Sequence, residues 1–552
     1  MYKYSDTNIS FTASPLLKLI VISICLVFCA QLTQFNQDEL CARYQFIDDG
    51  FYYLKIAHNI ATRGFSSFDG IHETNGYQPL WALLLSIISV ISIPNHFIFW
   101  ITIFSSVIFF TLAALTFGNI NNCKTNQKIN SNAAISSVLF ATNPLLFLSI
   151  VNGLETSLAI CSLILFFFYL FKVISENEQR RRDIFILYVI SLLTFLSRLD
   201  YAIIMLFCCG VILLYNYSSK RFFRSDIFYL MVFIIVVVFV YCSLNYIIFN
   251  LFLPISGIVK KDHTFYSLFS RNNWNEPINA VSIVFWPEKL ESFYFRKSNL
   301  FFFFLGMLFS LLSATILLLS KKIKNKIFDL IIITQGWVHA LSYLTIQGGG
   351  RTYYFIPLSL SIIWSIGIIG SVIINSSKLI YPKSKLAFKG LSLLLILAIS
   401  IVYFNPILQY NWPLSLWRYE RIRAAKWINS IELNKDIRIG SWWAGAFSFY
   451  CNRPVINLDG LVNNKEFLYY LQNEKIDEYL IKEKIKIIAD YFPCAPQDFN
   501  SDYSSEMFDN RDWKNLEKNL TKKGHKVSLL KFFPDPQKQR ISKAGFYIFE
   551  II

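Results

Sequence analysis

Long apolar segments alternate with short polar segments through most of the chain, from residue 16 to about residue 408. Many apolar segments approach roughly twenty residues, the length that an α-helix needs to cross a hydrocarbon core ~30 Å thick. The pattern predicts about 11 to 13 membrane spans, with 79–117 forming either one broken helix or two. The segments lie at 16–35, 79–93, 96–117, 132–150, 156–172, 184–197, 200–217, 227–252, 299–319, 327–345, 353–374 and 390–408.

Lysine and arginine concentrate in the short segments between the apolar ones. The formal net charge is +16, yet charged residues make up only 16% of the 552 residues, below the roughly 25% of a soluble protein. A soluble protein of this charge would be expected to bind nucleic acid. Here the clusters follow the positive-inside rule for cytoplasmic loops, so we expect the lipid bilayer and no nucleic acid as a partner. The clusters are at 176–183, 218–226, 321–326 and 378–389.

If the basic segments face the cytoplasm, the opposite ends of the spans face outward. The polar residues near these ends, an acidic pair among them, then converge on the outer side of the membrane. The outward segments are 36–78, 151–155, 196–200, 253–298, 347–351 and everything after about 409.

The composition changes near residue 410, where helix and strand patterns begin to alternate. A helix is expected at 418–430, and 465–485 favours short helices. Strands are expected at the start of 436–450, which then turns at Gly445, at the start of 454–464, and at 486–492. We therefore predict two domains: a membrane domain at 1–408, with its first outer loop at 36–78, and an α/β domain at 409–552 outside the membrane. Cys451 and Cys494 in this domain could pair in an oxidising compartment.

Asp48 and Asp49 stand side by side just beyond the first apolar segment. From Phe51 to Arg63 the polar residues recur with helical spacing, which predicts an amphipathic helix lying in the membrane interface with its apolar face down. One interpretation makes the acidic pair a helix N-cap, because the helix dipole favours negative charge there. The alternative is functional: the carboxylates bind a cation or deprotonate a substrate hydroxyl.

The loop after this helix, 66–81, carries an unusual density of polar side chains. Loops of this length between two spans are more often functional than passive. The functional interpretation of the acidic pair therefore gains support. The polar residues are Asp69, His72, Glu73, Asn75 and Tyr77.

Five stretches in this order resemble the GT-C superfamily of integral-membrane glycosyltransferases. The acidic pair with its helix and "DGIHETNGYQPLW" (69–81) is similar to the first outer loop of these enzymes. In the stretch 196–204 the chain has Leu199 where proline is usual in the family. The stretch 440–464 resembles the outer domain of relatives of mycobacterial arabinofuranosyltransferases. The other four stretches are 143–160, 196–204, 349–358 and 440–464.

The resemblance implies a polytopic α-helical fold of the GT-C type with a C-terminal α/β domain. It also implies inverting transfer of a sugar from a polyprenyl-phosphate donor to a glycan, lipid or protein acceptor on the outer face of a bacterial inner membrane. The first-loop aspartate of the family is the presumed base. That role passes to Asp49, which we prefer, or to Asp48, and the other carboxylate holds a divalent cation such as Mg²⁺ or Mn²⁺.

Further candidates lie at the outer ends of the spans. Glu155 and Glu73 carry carboxylates suited to a hard cation, so Asp48 and Glu155 form the candidate metal site, although Glu155 also fits a solvent-exposed hairpin tip. Arg198 suits bidentate phosphate binding or a structural pair with Asp200. Beyond these residues, we expect Arg351, Asn75 and Tyr77 to bind substrate, Arg351 because three glycines precede it and allow close approach of a ligand.

Three alternatives to a glycosyltransferase stay open. A lipid-linked glycan ligase or polymerase would place its functional charges in a late outer loop, whereas here the acidic pair is in the first. A transporter or flippase would carry ionisable residues within its spans and often internal repeats, and these spans are almost free of charge. An inactive relative with a scaffolding role would keep the same motifs.

Overall fold

The computed structural model describes the greater part of the chain. The described residues are 22, 36–43, 46–91, 95–123, 131–143, 145–146, 150–175, 181–218, 225–260, 274–285, 297–319, 326–346, 351–380, 416–432, 434, 437–492, 513–534 and 545–552. The first and last predicted spans, 16–35 and 390–408, fall outside them except for Ile22.

A helical bundle occupies the region of the apolar segments. Six of its helices are long and apolar enough to cross a membrane, and two shorter apolar helices accompany them. The chain is therefore a multi-pass membrane protein, as predicted. The helices are α1 (Gln37–Arg43), α2 (Asp48–Arg63), α3 (Pro79–Ile91), α4 (Asn95–Cys123), α5 (Ser131–Thr142), α6 (Thr156–Ser175), α7 (Arg181–Ser197), α8 (Tyr201–Ser218), α9 (Ser225–Phe249), α10 (Ile255–Val259), α11 (Asn275–Phe285), α12 (Lys297–Leu319), α13 (Lys326–Ile346) and α14 (Ile356–Ile380), with a 3₁₀ turn at Thr352–Phe355.

Two details of the bundle differ from or refine the sequence pattern. The segment 79–117 forms two helices, α3 and α4. The predicted span at 132–150 is not one continuous helix, because α5 ends at Thr142. There the Asn143 side chain accepts a hydrogen bond from the backbone N–H of Leu146 (3.1 Å), a local bond that competes with helix continuation.

The C-terminal region contains a five-stranded mixed sheet flanked by short helices, which confirms the predicted α/β architecture. The strand order is β2-β1-β3-β5-β4, with β1 parallel to β2 and β3, and β5 antiparallel to β3 and β4. Gly445 begins a helix where the sequence had suggested only a turn. The elements are α15 (Leu416–Ser430), β1 (Arg438–Ser441), α16 (Gly445–Tyr450), β2 (Val455–Asn457), α17 (Lys465–Gln472), α18 (Ile476–Lys482), β3 (Ile485–Phe492), α19 (Trp513–Lys522), β4 (Val527–Pro534) and β5 (Gly545–Ile551).

Helix α2 lies between the membrane bundle and the C-terminal sheet. Phe51 and Leu54 belong to the apolar core of the bundle, whereas Tyr52 and Ile56 belong to the core shared with the sheet. The predicted helix is therefore present, but its apolar residues are buried against protein on both sides and do not form one free face for lipid. Its C-terminus closes at Gly64, whose φ of 78° is the left-handed conformation that glycine adopts without strain.

Candidate active site

Asp48 and Asp49 occupy the first turn of α2, where this helix meets α16 of the C-terminal region and α10 of the bundle side. The helix dipole favours acidic residues in this turn. The N-cap itself is Ile47, which makes no side-chain cap. Neither carboxylate is therefore the N-cap of α2, as one interpretation of the sequence had it.

The Asp48 carboxylate is held by the C-terminal region. The backbone N–H groups of Gly445 and Ala446 donate to its Oδ2 (2.8 Å) and Oδ1 (2.9 Å). The Arg421 guanidinium lies 3.4 Å from Oδ1, and only 11% of the Asp48 side chain is exposed. Burial raises the pKa of Asp48 to about 6, although Arg421 and the two N–H donors act in the opposite direction. Asp48 thus joins α2 to the start of α16.

The Asp49 carboxylate is more open, with 31% of its side chain exposed, and it faces a cation. The Lys260 ammonium, just past the end of α10, lies 3.8 Å from Asp49 Oδ2. The same ammonium donates to the Tyr354 hydroxyl (2.9 Å). Burial acts to lower the pKa of Lys260, but Tyr354 and Asp49 outweigh it and hold this pKa above its usual value. A charged ammonium therefore stands beside the open carboxylate.

Two arginines extend this positive region. The charge of Arg351 acts to lower the pKa of Lys260 and that of Arg418, so Arg351 is within electrostatic reach of each of them. Burial and the neighbouring Arg421 lower the pKa of Arg418 to about 10. Positive side chains that repel one another are stabilised by a bound anion. The predicted phosphate ligand Arg351 is therefore within electrostatic reach of Lys260, the cation beside Asp49.

Arg198 is the centre of a second, buried network between α7 and α8. It is 1% exposed; its Nε donates to Asp200 (3.0 Å), and its Nη2 donates to the Tyr343 hydroxyl (3.0 Å). Its Nη1 lies 3.6 Å from Glu155 Oε1, and Asp200 also contacts His339 (2.8 Å). The predicted structural pair with Asp200 is present.

Glu155 connects this network to α2. It is buried, so the expectation of a solvent-exposed hairpin tip is wrong. The Tyr53 hydroxyl of α2 donates to Glu155 Oε2 (3.0 Å). Tyr354 provides a second link, because Arg198 lies over its ring at 4.7 Å while its hydroxyl accepts from Lys260. The two charged networks therefore form one continuous set of contacts.

The three remaining predicted residues form no hydrogen bond or ion pair with the carboxylate pair among the described residues. Asn75 is buried and binds the backbone, accepting from Ile255 N–H (2.9 Å) and donating to Leu253 C=O (3.3 Å). It thereby fixes the start of α10, the helix that presents Lys260. Tyr77 is half-buried and packs with both apolar cores, and Glu73 is exposed. Asn75 therefore has a positioning contact, and neither Glu73 nor Tyr77 has a described hydrogen bond or ion pair with Asp49.

Sequence reasoning missed Lys260, Arg418 and Arg421. All three lie in segments that the charge pattern had placed on the outer side, 253–298 and 418–430. These residues are far from Asp48 and Asp49 along the chain, so no local pattern could predict that Lys260 and Arg421 contact the pair. The only available signal was the basic content of these outward segments, which also fits a lipid-headgroup anchor.

The predicted metal pair, Asp48 and Glu155, belongs to different contact sets. Asp48 accepts from two backbone N–H groups and faces Arg421, whereas Glu155 accepts from Tyr53 and faces Arg198. Within the described ranges no three His, Cys, Asp or Glu side chains form a group that could hold a metal ion. This donor set does not fit a cation shared by the two carboxylates, because each already faces an arginine.

The sequence matches no protein-family model and no curated protein. Solved structures do match. One is the archaeal oligosaccharyltransferase AglB from Archaeoglobus fulgidus, in complex with an inhibitory peptide and a dolichol-phosphate, with a TM-score of 0.52 and 13% identity over 98% of this chain and 75% of AglB. Another is ArnT from Cupriavidus metallidurans bound to undecaprenyl phosphate, with a TM-score of 0.54 and 8% identity over 97% of this chain and 98% of ArnT. The chain therefore has the fold of AglB and ArnT, the GT-C fold that its sequence motifs predicted.

Proposed function

We propose that the protein is a membrane glycosyltransferase that moves a sugar from a polyprenyl-phosphate carrier to a cell-envelope acceptor. The observation that carries this proposal is the position of Asp49, an open carboxylate 3.8 Å from the Lys260 ammonium. Glycosyl transfer needs a base for the acceptor hydroxyl and positive charge for the leaving phosphate. Asp49 and Lys260 supply these two functions side by side. A fold shared with proteins solved with dolichol-phosphate and undecaprenyl phosphate supports a lipid-linked donor.

Each residue then has a defined role in an inverting transfer. Asp49 takes the proton of the acceptor hydroxyl while the hydroxyl oxygen attacks the anomeric carbon of the sugar. The bond between that carbon and the phosphate oxygen breaks, and the carrier leaves as polyprenyl phosphate with one more negative charge. Lys260 and Arg351 neutralise that charge. Asp48 anchors the turn that presents Asp49, and no step requires a metal.

The reaction takes place at the outer face of a bacterial inner membrane, with the C-terminal domain (409–552) outside the cytoplasm. The basic segments between spans support this orientation through the positive-inside rule. The donor reaches Asp49 from the bilayer, and a glycan, lipid or protein acceptor reaches it from the aqueous side.

The test follows transfer of radiolabelled sugar from polyprenyl-phosphate pools in right-side-out and inverted vesicles. We expect wild type to consume the carrier, and Asp49→Asn to fold but lose about 10²–10⁴-fold in rate, the usual contribution of a general base. Lys260→Met should lose activity while keeping its elution volume in detergent gel filtration.

The alternatives give different results. Consumption of lipid diphosphate but not monophosphate donors would favour a ligase or polymerase. Movement of a labelled lipid across the bilayer without sugar transfer would favour a flippase. If Asp49→Asn matches wild type, the base assignment is wrong.

A further inference from the structure

A second polar cavity lies on another side of α2, away from Asp49. His58 is about two and a half helical turns beyond Asp49, so it leaves the helix on the opposite side. The cavity has a volume of about 250 Å³ and opens between α2 and the segment after α16. Its charged or titratable lining residues are Lys55, His58, Arg63, Asp69, Cys451 and Arg453.

Positive charge dominates this lining. Lys55, Arg63 and Arg453 are cations, and Asp69 is the one carboxylate among the described lining residues. The negative charge of Asp69 is already engaged, because it contacts His72 Nδ1 (2.7 Å) and accepts from the backbone N–H groups of Ile71 and His72.

Lys55 is the least compensated of these cations. Among the described residues no carboxylate lies within ion-pair distance of Lys55. Burial lowers the pKa of Lys55 and outweighs the opposite effect of Cys451 and Asp69, while the charge of Arg63 acts in the same direction as burial. Burial together with Lys55 and Arg63 also lowers the pKa of His58. Like charges around one cavity cost free energy unless an anion enters it.

Arg63 and Arg453 are held in place by backbone carbonyls, so the cavity has fixed walls. Arg63 Nη1 donates to Gly70 C=O (2.8 Å), and Arg453 Nη1 donates to Ile428 C=O (2.9 Å). These bonds hold both guanidinium groups at fixed positions in the cavity wall. The wall is thus arranged before any ligand binds, which lowers the entropic cost of binding.

We propose that this cavity is a binding site for a phosphate-sized oxyanion, with Lys55 as its principal ligand and His58, Arg63 and Arg453 around it. A volume of about 250 Å³ is below the range of drug-sized sites and suits a single anionic group with little attached to it. The anion is either free or part of a small phosphorylated sugar. The site is separate from the donor phosphate at Lys260 and does not depend on the proposed transferase activity.

The test is isothermal titration calorimetry of the full-length detergent-purified chain at pH 7 and constant ionic strength. Inorganic phosphate and glucose 1-phosphate are the two probes. All variants carry Lys260→Met, which removes one of the two cations assigned to the donor phosphate and leaves Arg351 unchanged in every protein compared. We expect this background to bind phosphate, and the further change Lys55→Met to weaken binding at least about tenfold, the loss expected for one charge-assisted bond.

Four comparisons make the result decisive. Lys55→Arg should keep most of the affinity, and Lys465→Met, at an exposed lysine, should keep all of it. Thermal unfolding shows whether Lys55→Met is folded, and phosphate should raise the midpoint of the background but not of Lys55→Met. Tighter binding of glucose 1-phosphate than of phosphate assigns the anion to a larger ligand. Equal affinity of Lys55→Met and its background, or no binding by the background, would overturn the proposal.

Discussion

The Asp48 carboxylate accepts hydrogen bonds from the first two N–H groups of α16, those of Gly445 (2.8 Å) and Ala446 (2.9 Å). Asp48 therefore caps a helix of the C-terminal region, although it lies in the first turn of α2. This contact separates the roles of the acidic pair. Asp48 is engaged by the protein, and Asp49 remains open to a substrate.

The approach of Gly445 to α2 leaves no room for a side chain. A Cβ at residue 445 would lie 2.1 Å from the Asp48 carbonyl oxygen, a backbone atom that cannot move alone. We expect Gly445→Ala to push α16 away from α2, expose the C-terminal region to limited proteolysis, and reduce sugar transfer at least about tenfold through misplacement of the site.

The matched control is Gly210→Ala in α8. A Cβ there meets no atom within 4 Å, and alanine is the better helix former by roughly 1 kcal/mol. This variant should match wild type in both assays. Equal protease resistance of Gly445→Ala and wild type would show that the contact does not hold the C-terminal region.

The raised pKa of Asp48 predicts a pH dependence of stability. Between its ordinary value of 3.8 and about 6 in the folded protein, the folded state binds more protons than the unfolded state. The free energy of unfolding therefore falls as pH rises through this window, by at most about 3 kcal/mol, and is level above it.

Asp48→Asn removes this titration. Other groups titrate equally in both proteins, so the informative quantity is the difference between the thermal midpoints of wild type and Asp48→Asn. The thermal midpoint of wild type should rise relative to that of Asp48→Asn as pH falls from about 6 to about 4. Parallel midpoints across that window would contradict the assignment of the shift to Asp48.

Local sequence pattern predicted α2 and most of the C-terminal elements because it reports on periodicity and turn residues. The helical spacing from Phe51 to Arg63 depends on neighbours three and four positions apart, and α2 spans Asp48–Arg63. The apolar segments were identified from their length and composition in the same local way. Among the described residues, the predicted span at 132–150 is interrupted at Asn143, where a polar side chain bonds locally.

The sequence could not show that Asp48 contacts the protein while Asp49 stays open. Asp48 and Asp49 are adjacent, have the same chemistry and occupy the same helical turn, so only their distant partners distinguish them. Gly445 is 397 residues from Asp48, and no periodicity links such positions. Lys260 was hidden for the same reason, although its outward segment had been identified.

Arg198 should stabilise the fold through its contacts with Glu155, Asp200 and Tyr343. Its removal would leave the buried Glu155 and the partly buried Asp200 without the guanidinium that both carboxylates contact. We expect Arg198→Met to lower the free energy of unfolding by about 3–5 kcal/mol, measured by titration with sodium dodecyl sulfate. Glu155→Gln should lower the free energy of unfolding by less, because Arg198 keeps its ion pair with Asp200. The double variant Arg198→Met/Glu155→Gln should be more stable than Arg198→Met alone.

A direct phosphate ligand would behave differently. If Arg198 binds the donor, as one sequence interpretation holds, Arg198→Lys would raise KM for the carrier without lowering stability. Arg198→Lys keeps the charge but loses the planar fork that contacts Asp200 and Tyr343. A stable Arg198→Lys variant with a raised KM would therefore contradict the structural role.

Removal of divalent metal tests how the leaving phosphate is neutralised. The open carboxylate Asp49 faces the ammonium of Lys260, and a cation in that place would be repelled by Lys260 and Arg351. We therefore expect enzyme dialysed against EDTA to keep its transfer activity, with little gain on addition of Mg²⁺ or Mn²⁺. Loss of activity in EDTA and its recovery with either metal would restore the metal predicted from sequence. A higher metal concentration for half-maximal activity in Glu155→Gln would then place Glu155 at the metal, either as a ligand or as a residue that orients one.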